Sequence, residues 1–280
     1  MKSSSRKSAS GSQLTPSLLK ALWDPFPIKA GGVVYASLGP LELWIRRFSE
    51  DWYVAHRRAE PEVQACAPKR LQSTGALEEL PWSRWVSSQP AEQIRLVPAL
   101  PDRSVVVRPK FPLNVPTGES VLFYVNIPIW VRVTIGESFE QAFNEIPSVV
   151  LSNTWFGEPT AGELCYALKT KALRDLDELS NHPFMVTCPV QVENQAPTDL
   201  DFQRICIRVE HLHVYRGARR LWTNQVEVLF KGEDFTSQIN VLKYAPRLEG
   251  TSERLCAARE PVERSLLAKS FSFLRSLTGF

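Results

Sequence analysis

The run Val121-Leu122-Phe123-Tyr124-Val125-Asn126-Ile127-Pro128-Ile129-Trp130-Val131-Arg132-Val133-Thr134-Ile135 restricts the fold of this chain more than any other segment. Its β-branched and aromatic residues suit a pleated strand and lose side-chain freedom in a helix. Pro128 cannot donate to a ladder, which excludes one uninterrupted strand. Two consecutive strands, bent at the proline and passing from one sheet to another, meet both conditions. A chain that does this in its middle is expected to be all-β, with more than one sheet.

The flanking segments extend the pattern. Val33–Leu38, the turn Gly39-Pro40, and residues 41–47 read as a hairpin, and residues 52–57 add a third strand. Trp44 and Trp52 stand near the ends of the second turn, placed to pair across the strands. Residues 60–93 break the rhythm with prolines at 61, 68, 81 and 90, and read as an irregular excursion pinned by Trp82 and Trp85. Strand signals return at 104–109, 185–192, 204–216 and 220–230. Residues 164–176 fit a helix or a strand; their β neighbours favour a strand with Lys169 and Lys171 on one face.

Passages 114–136 and 194–217 each start at Asn, share Pro-Thr in a turn, and end in alternating segments before Gly136 and Gly217. Duplication of a sandwich unit is one reading and chance likeness the other. The expected organisation is a basic tail (1–15), a β unit (16–145), a second β-sandwich unit (146–250), and a linker with an amphipathic helix (251–280). That helix would carry Val262, Leu266, Phe271, Leu274 and Leu277 on one stripe. Arg264, Lys269 and Arg275 beside Phe271, Phe273 and Phe280 suit either a membrane surface or a partner groove.

Composition narrows the function classes. The formal net charge is +3, and the excess basic charge lies in the first 13 and last 30 residues rather than the core. This argues against nucleic acid as a partner of the core. No stretch is apolar enough to span a membrane, and no secretory signal precedes the β region. The five cysteines, Cys66, Cys165, Cys188, Cys206 and Cys256, are scattered and read as reduced thiols in a cytoplasmic protein, those at 165, 188 and 206 as core packing.

Residues 149–164 fit neither period yet hold Asn153, Thr154, Trp155, Phe156, Glu158 and Glu163 between two glycines and a proline. Connections that spend two aromatics are candidates for binding, and Trp222 beside a turn joins them. His211 and His213 form a His-x-His pair that can converge on a metal ion from one strand face, with no third ligand at a familiar spacing. Apolar residues change face near Glu210, which predicts a bulge there. Nucleophile elbows, phosphate loops and dinucleotide fingerprints are absent, so no catalytic set and no cofactor is assigned.

The motifs Gly39-Pro40-Leu41-Glu42-Leu43-Trp44, Pro128-Ile129-Trp130-Val131, Leu151-Ser152-Asn153-Thr154-Trp155-Phe156-Gly157, Gly162-Glu163-Leu164-Cys165-Tyr166 and Leu221-Trp222-Thr223-Asn224 resemble the prokaryotic domain of unknown function 432 family over about residues 30–245. The family has no assigned activity, so the resemblance carries over no catalytic residue. Association of some relatives with small-conductance mechanosensitive channels implies an accessory module peripheral to the inner membrane. The leading expectation is a non-enzymatic interaction module that binds a protein partner, such as a channel, with homo-oligomerisation left open. The rivals are a metal-dependent or carbohydrate-active enzyme using His211 and His213, and a glycan-binding module.

Overall fold

The computed structural model describes residues 14–49, 51–60, 62–72, 77–87, 91–136, 141–232, 238–246, 248–249 and 253–261. The expected basic tail and the amphipathic helix fall almost entirely outside them. The described chain is all-β, with several sheets and one eight-residue α-helix, Pro16–Trp23. Thr15 caps that helix, its hydroxyl accepting from the Leu18 amide at 3.2 Å, and Pro16 occupies the first turn. Leu19, Leu22 and Trp23 face the core.

The expected break at Pro128 is present. Ser120–Pro128 pairs antiparallel with Met185–Asn194 in a seven-stranded sheet. Trp130–Ile135 lies between Gln93–Ala99 and Gln141–Pro147 in a four-stranded sheet. Ile129 forms the corner: its amide donates to Phe184 O at 3.0 Å, and its carbonyl accepts from the Ser148 amide at 3.0 Å and hydroxyl at 2.6 Å. Both backbone groups at the bend are therefore satisfied, as burial demands.

The meander also forms, as Val33–Leu38, Leu41–Phe48 and Asp51–Arg58. Gly39 turns with φ +60°, and a Cβ there would stand 2.2 Å from the Phe184 ring, so the first turn admits only glycine. Trp44 and Trp52 do not pair. Trp44 lies opposite Ala55 and Trp52 opposite Arg47, a register that sends the two rings to opposite faces. Trp44 tilts against Tyr35 instead, at 5.3 Å.

The excursion at 60–93 is more regular than its composition suggests. Cys66–Arg70 pairs with Val33–Leu38 and Ser83–Val86 with Asp51–Arg58, closing both edges of a five-stranded sheet. Pro68, Lys69, Arg70 and Arg84 belong to these edges, where proline and charge hinder further strand addition. Trp85 docks as expected, stacked 6.0 Å from Phe143, which also meets Trp52 at 5.8 Å.

Another four-stranded sheet has the order Ser152–Phe156, Glu163–Ala172, Val105–Pro109, Ile205–Ile207. Its two central strands run parallel. Residues 163–172 thus form a strand, with Lys169 and Lys171 exposed. This sheet and the seven-stranded one draw strands from both sides of the boundary expected at 145/146, and one apolar core runs from Leu14 to Cys256. The two passages compared as a duplication fold differently. The first holds the nine-residue strand Ser120–Pro128; the second breaks into Leu200–Phe202, Ile205–Ile207, a 3-10 turn at Val209–His211, and Val214–Arg216.

Phe143 locks the five-stranded sheet onto its neighbour. Phe143→Ala is expected to cost about 3–5 kcal/mol, measured as a lower urea midpoint with an unchanged denaturant slope.

Candidate functional site

Asn153, Thr154, Trp155 and Phe156 belong to strand Ser152–Phe156 rather than to a loop. Paired with Glu163–Ala172 in the register Asn153↔Tyr166, Thr154↔Cys165, Trp155↔Leu164, Phe156↔Glu163, it makes a hairpin closed by residues 157–162. The inner face holds Phe156 and Cys165, both buried; the outer face holds Trp155 and Leu164, each 47% exposed. Trp155 folds over its own turn, its indole N–H donating to Glu158 O at 2.9 Å. A Cβ on Gly162 would stand 2.4 Å from that nitrogen, so glycine is what lets the ring lie down. Glu158 sits exposed in the turn.

Behind the hairpin lies a polar cluster built by three strands and the 3-10 turn. Tyr166 and Ile207 both pair with Val105, so Cys165 and Cys206, one residue away on each strand, point to the same buried face across the start of Val105–Pro109. Their sulfurs are 3.8 Å apart. Glu163 Oε1 lies 3.7 Å from Cys206 Sγ and accepts from Arg208 Nη2 at 3.1 Å. Arg208 also reaches Glu210 at 3.7 Å, and the Ser104 hydroxyl donates to Glu210 at 3.1 Å. The neighbouring Cys165 thiol, together with burial, pushes Cys206 well above the usual thiol range. Burial likewise raises Glu210. Cys188 is core packing, pushed up to about 12 by burial.

Among the described residues, Glu163, Cys165 and Cys206 form the one group of three metal-type donors within mutual reach. His211 and His213 do not join it. The bulge expected near Glu210 is the 3-10 turn Val209–His211, which takes His211 off the strand, and His213 follows in the connection before Val214. Both rings instead bind the backbone of residues 258–260. The Glu260 carbonyl can only accept, so His211 Nδ1 donates to it, at 3.3 Å; His213 Nδ1 accepts from the Ala258 amide at 2.9 Å. The bonds therefore call for opposite tautomers. Between them Arg259 donates to Leu100 O at 2.6 Å, pairs with Glu145, and lies 5.4 Å over the Trp130 ring.

Trp222 belongs elsewhere. It is buried in the seven-stranded sheet with Tyr124, Leu179 and Tyr215, its ring under Arg220 at 5.5 Å. The sequence makes it a binding candidate only because a Trp beside a turn looks the same buried or exposed. The Glu163–Cys165–Cys206 group leaves no local signal because its members come from two strands, the cysteines 41 positions apart.

The architecture is thus an all-β protein whose segment 253–261 straps across the sheets and whose edge hairpin backs onto a thiol–carboxylate cluster. The chain belongs to the family described as a protein of unknown function (DUF432), whose model matches residues 22–275. The match exceeds the span of the quoted motifs, taking in the end of the helix at Leu22 and Trp23 and the strap at 253–261. No curated protein and no solved structure matches the chain. Among the described residues, no helix is long and apolar enough to cross a membrane.

Burial and the nearby Arg254 lower His213 below its ordinary value of 6.5. Its contribution to stability is therefore complete above 6.5 and is lost as pH falls from 6.5 through the lowered folded value. His213→Phe, which removes the acceptor and keeps a ring, should cost about 1 kcal/mol near neutral pH. Urea denaturation at a series of pH values should show a shallower acid loss in the variant than in the native chain, with His56, also lowered by burial, supplying part of what remains. Equal slopes would remove His213 from this role.

Proposed function

We propose that this protein is a non-enzymatic interaction module whose hairpin edge, Ser152–Phe156, takes an extended segment of a protein partner as an added strand. The supporting observation is the character of that edge. It has one strand neighbour among the described residues, and its five residues include no charge and no proline. The exposed Trp155–Leu164 pair stands directly beside it. Three other outer strands are guarded, Cys66–Arg70 by Pro68 and two cations, Ser83–Val86 by Arg84, and Glu253–Cys256 by Glu253 and Arg254, while the opposite edge of the same sheet, Ile205–Ile207, is fully buried. Gln238–Val241 also lacks charge but has no large apolar side chain exposed. An edge left open next to an aromatic anchor suits strand addition, where main-chain hydrogen bonds give affinity and side-chain pockets give selectivity. Asn153, Thr154 and Trp155 are the contact residues of this reading. A membrane-channel partner, which the family resemblance implies, is its narrower form.

The test is affinity capture with the full chain from detergent-solubilised cells, comparing the native protein with Asn153→Lys and Leu164→Lys. Both substitutions fall on exposed positions, so folding should persist with stability changes within about 0.5 kcal/mol. A stoichiometric partner held by the native chain and by the control Gln238→Lys, but lost from both hairpin variants, is the expected result. Retention of the same partner by the hairpin variants would overturn the reading.

A further inference from the structure

We propose that Glu163, Cys165 and Cys206 bind a single zinc ion on the inner side of the hairpin. The argument is geometric and independent of the partner-binding reading. In a tetrahedral zinc site with metal–sulfur bonds of about 2.3 Å and a metal–oxygen bond of about 2.1 Å, two sulfurs stand about 3.8 Å apart, and a sulfur and an oxygen about 3.6 Å. The observed separations are 3.8 Å between Cys165 and Cys206 and 3.7 Å between Cys206 and Glu163 Oε1. Two of the three edges of such a tetrahedron are thus already in place, and the third pair, Cys165 Sγ and the Glu163 carboxylate, lies within 4.8 Å.

The surroundings suit the ion. Both thiols are fully buried, so the sulfur pair is shielded from solvent, while Glu163 is half-buried and leaves an approach from its side. Two thiolates and a carboxylate exceed the charge of Zn2+ by one, and the Arg208 guanidinium, 3.1 Å from Glu163 Oε1 and shared with Glu210 at 3.7 Å, offsets that excess. Arg208 also orients the carboxylate, as outer partners of metal ligands commonly do. Thiolate donors favour zinc over magnesium or calcium. Binding replaces both thiol protons, so uptake of one ion releases two protons to the buffer. Three protein ligands leave a fourth position for water. The ion would tie Glu163–Ala172 to Ile205–Ile207, two strands that share Val105–Pro109 as their neighbour.

The experiment uses the full chain, stripped with chelator under reducing conditions and titrated with Co2+ and then Zn2+. One equivalent of Co2+ should produce a thiolate-to-cobalt charge-transfer band with intense tetrahedral d–d bands, and Zn2+ should bleach both. Cys165→Ser and Cys206→Ser should abolish the band, and Glu163→Gln should weaken binding at least tenfold. A second readout needs no variant: mass-spectrometric mapping of alkylation in mild denaturant. Zn2+ should protect Cys165 and Cys206 at least tenfold while leaving Cys66 and Cys188 unchanged. Absence of cobalt bands in the native chain, or equal alkylation of Cys165 and Cys206 with and without Zn2+, would mean two protonated thiols in simple contact and would overturn the proposal.

Discussion

The corner at Ile129 is the constraint on which the remaining architecture rests. Pro128 ends the ladder of one sheet, and two residues later the chain is already paired in another. Such a transfer buries a backbone amide and carbonyl away from either ladder, and a buried polar group without a partner costs about 1–3 kcal/mol. Phe184 and Ser148 supply the partners, one from each following region of the chain. Both of those segments are thereby fixed, Phe184 just before Met185–Asn194 and Ser148 just before the edge hairpin. Phe184 in turn fills the space that Gly39 leaves open, so the first turn of the meander is set by the same residue.

The hairpin inherits its two-sided character from this arrangement. Its second strand pairs edge to edge with Val105–Pro109, which pairs in turn with Ile205–Ile207, so Phe156 and Cys165 lie on the buried face of the shared sheet, where Glu163 and Arg208 satisfy one another. Its outer face is covered at Tyr166, whose ring tilts against Trp130 at 6.5 Å, but not at Trp155 and Leu164, which stay half in water. The strap at 256–260 secures the same neighbourhood from the far side through His211, His213, Leu100 and Glu145. Recognition outside and ligation inside would therefore act on one rigidly held element.

How much of this the residues disclose follows from where each signal is local. Pro128 removes a donor wherever it stands, so the sheet change was legible. Gly39-Pro40 and the alternation of 41–47 were legible for the same reason. The strand Ser152–Phe156 was hidden because each face mixes a polar and an aromatic residue, Asn153 with Trp155 and Thr154 with Phe156, which erases the period of 2. The edge strands inside 60–93 were hidden by the prolines and cations that protect an edge. His211 and His213 have the right spacing for one strand face, but a 3-10 turn ends inside that spacing and spends it on backbone contacts. The cysteine pair had no local signature at all, since topology alone brings it together.

The place of Val105–Pro109 between partners from much later in the chain bears on how the protein is made. Its neighbours are Glu163–Ala172 on one side and Ile205–Ile207 on the other. A chain leaving the ribosome carries this apolar segment with neither side paired until about residue 172 has emerged, and with one side open until about residue 207. Pairing across such separations pays loop-closure entropy before any contact repays it, so folding is expected on the millisecond-to-second scale typical of non-local β topologies. During that interval a bare Val-Val-Val strand is a template for wrong pairing. The burden of keeping it apart from other chains falls on synthesis rate and chaperones rather than on the finished fold.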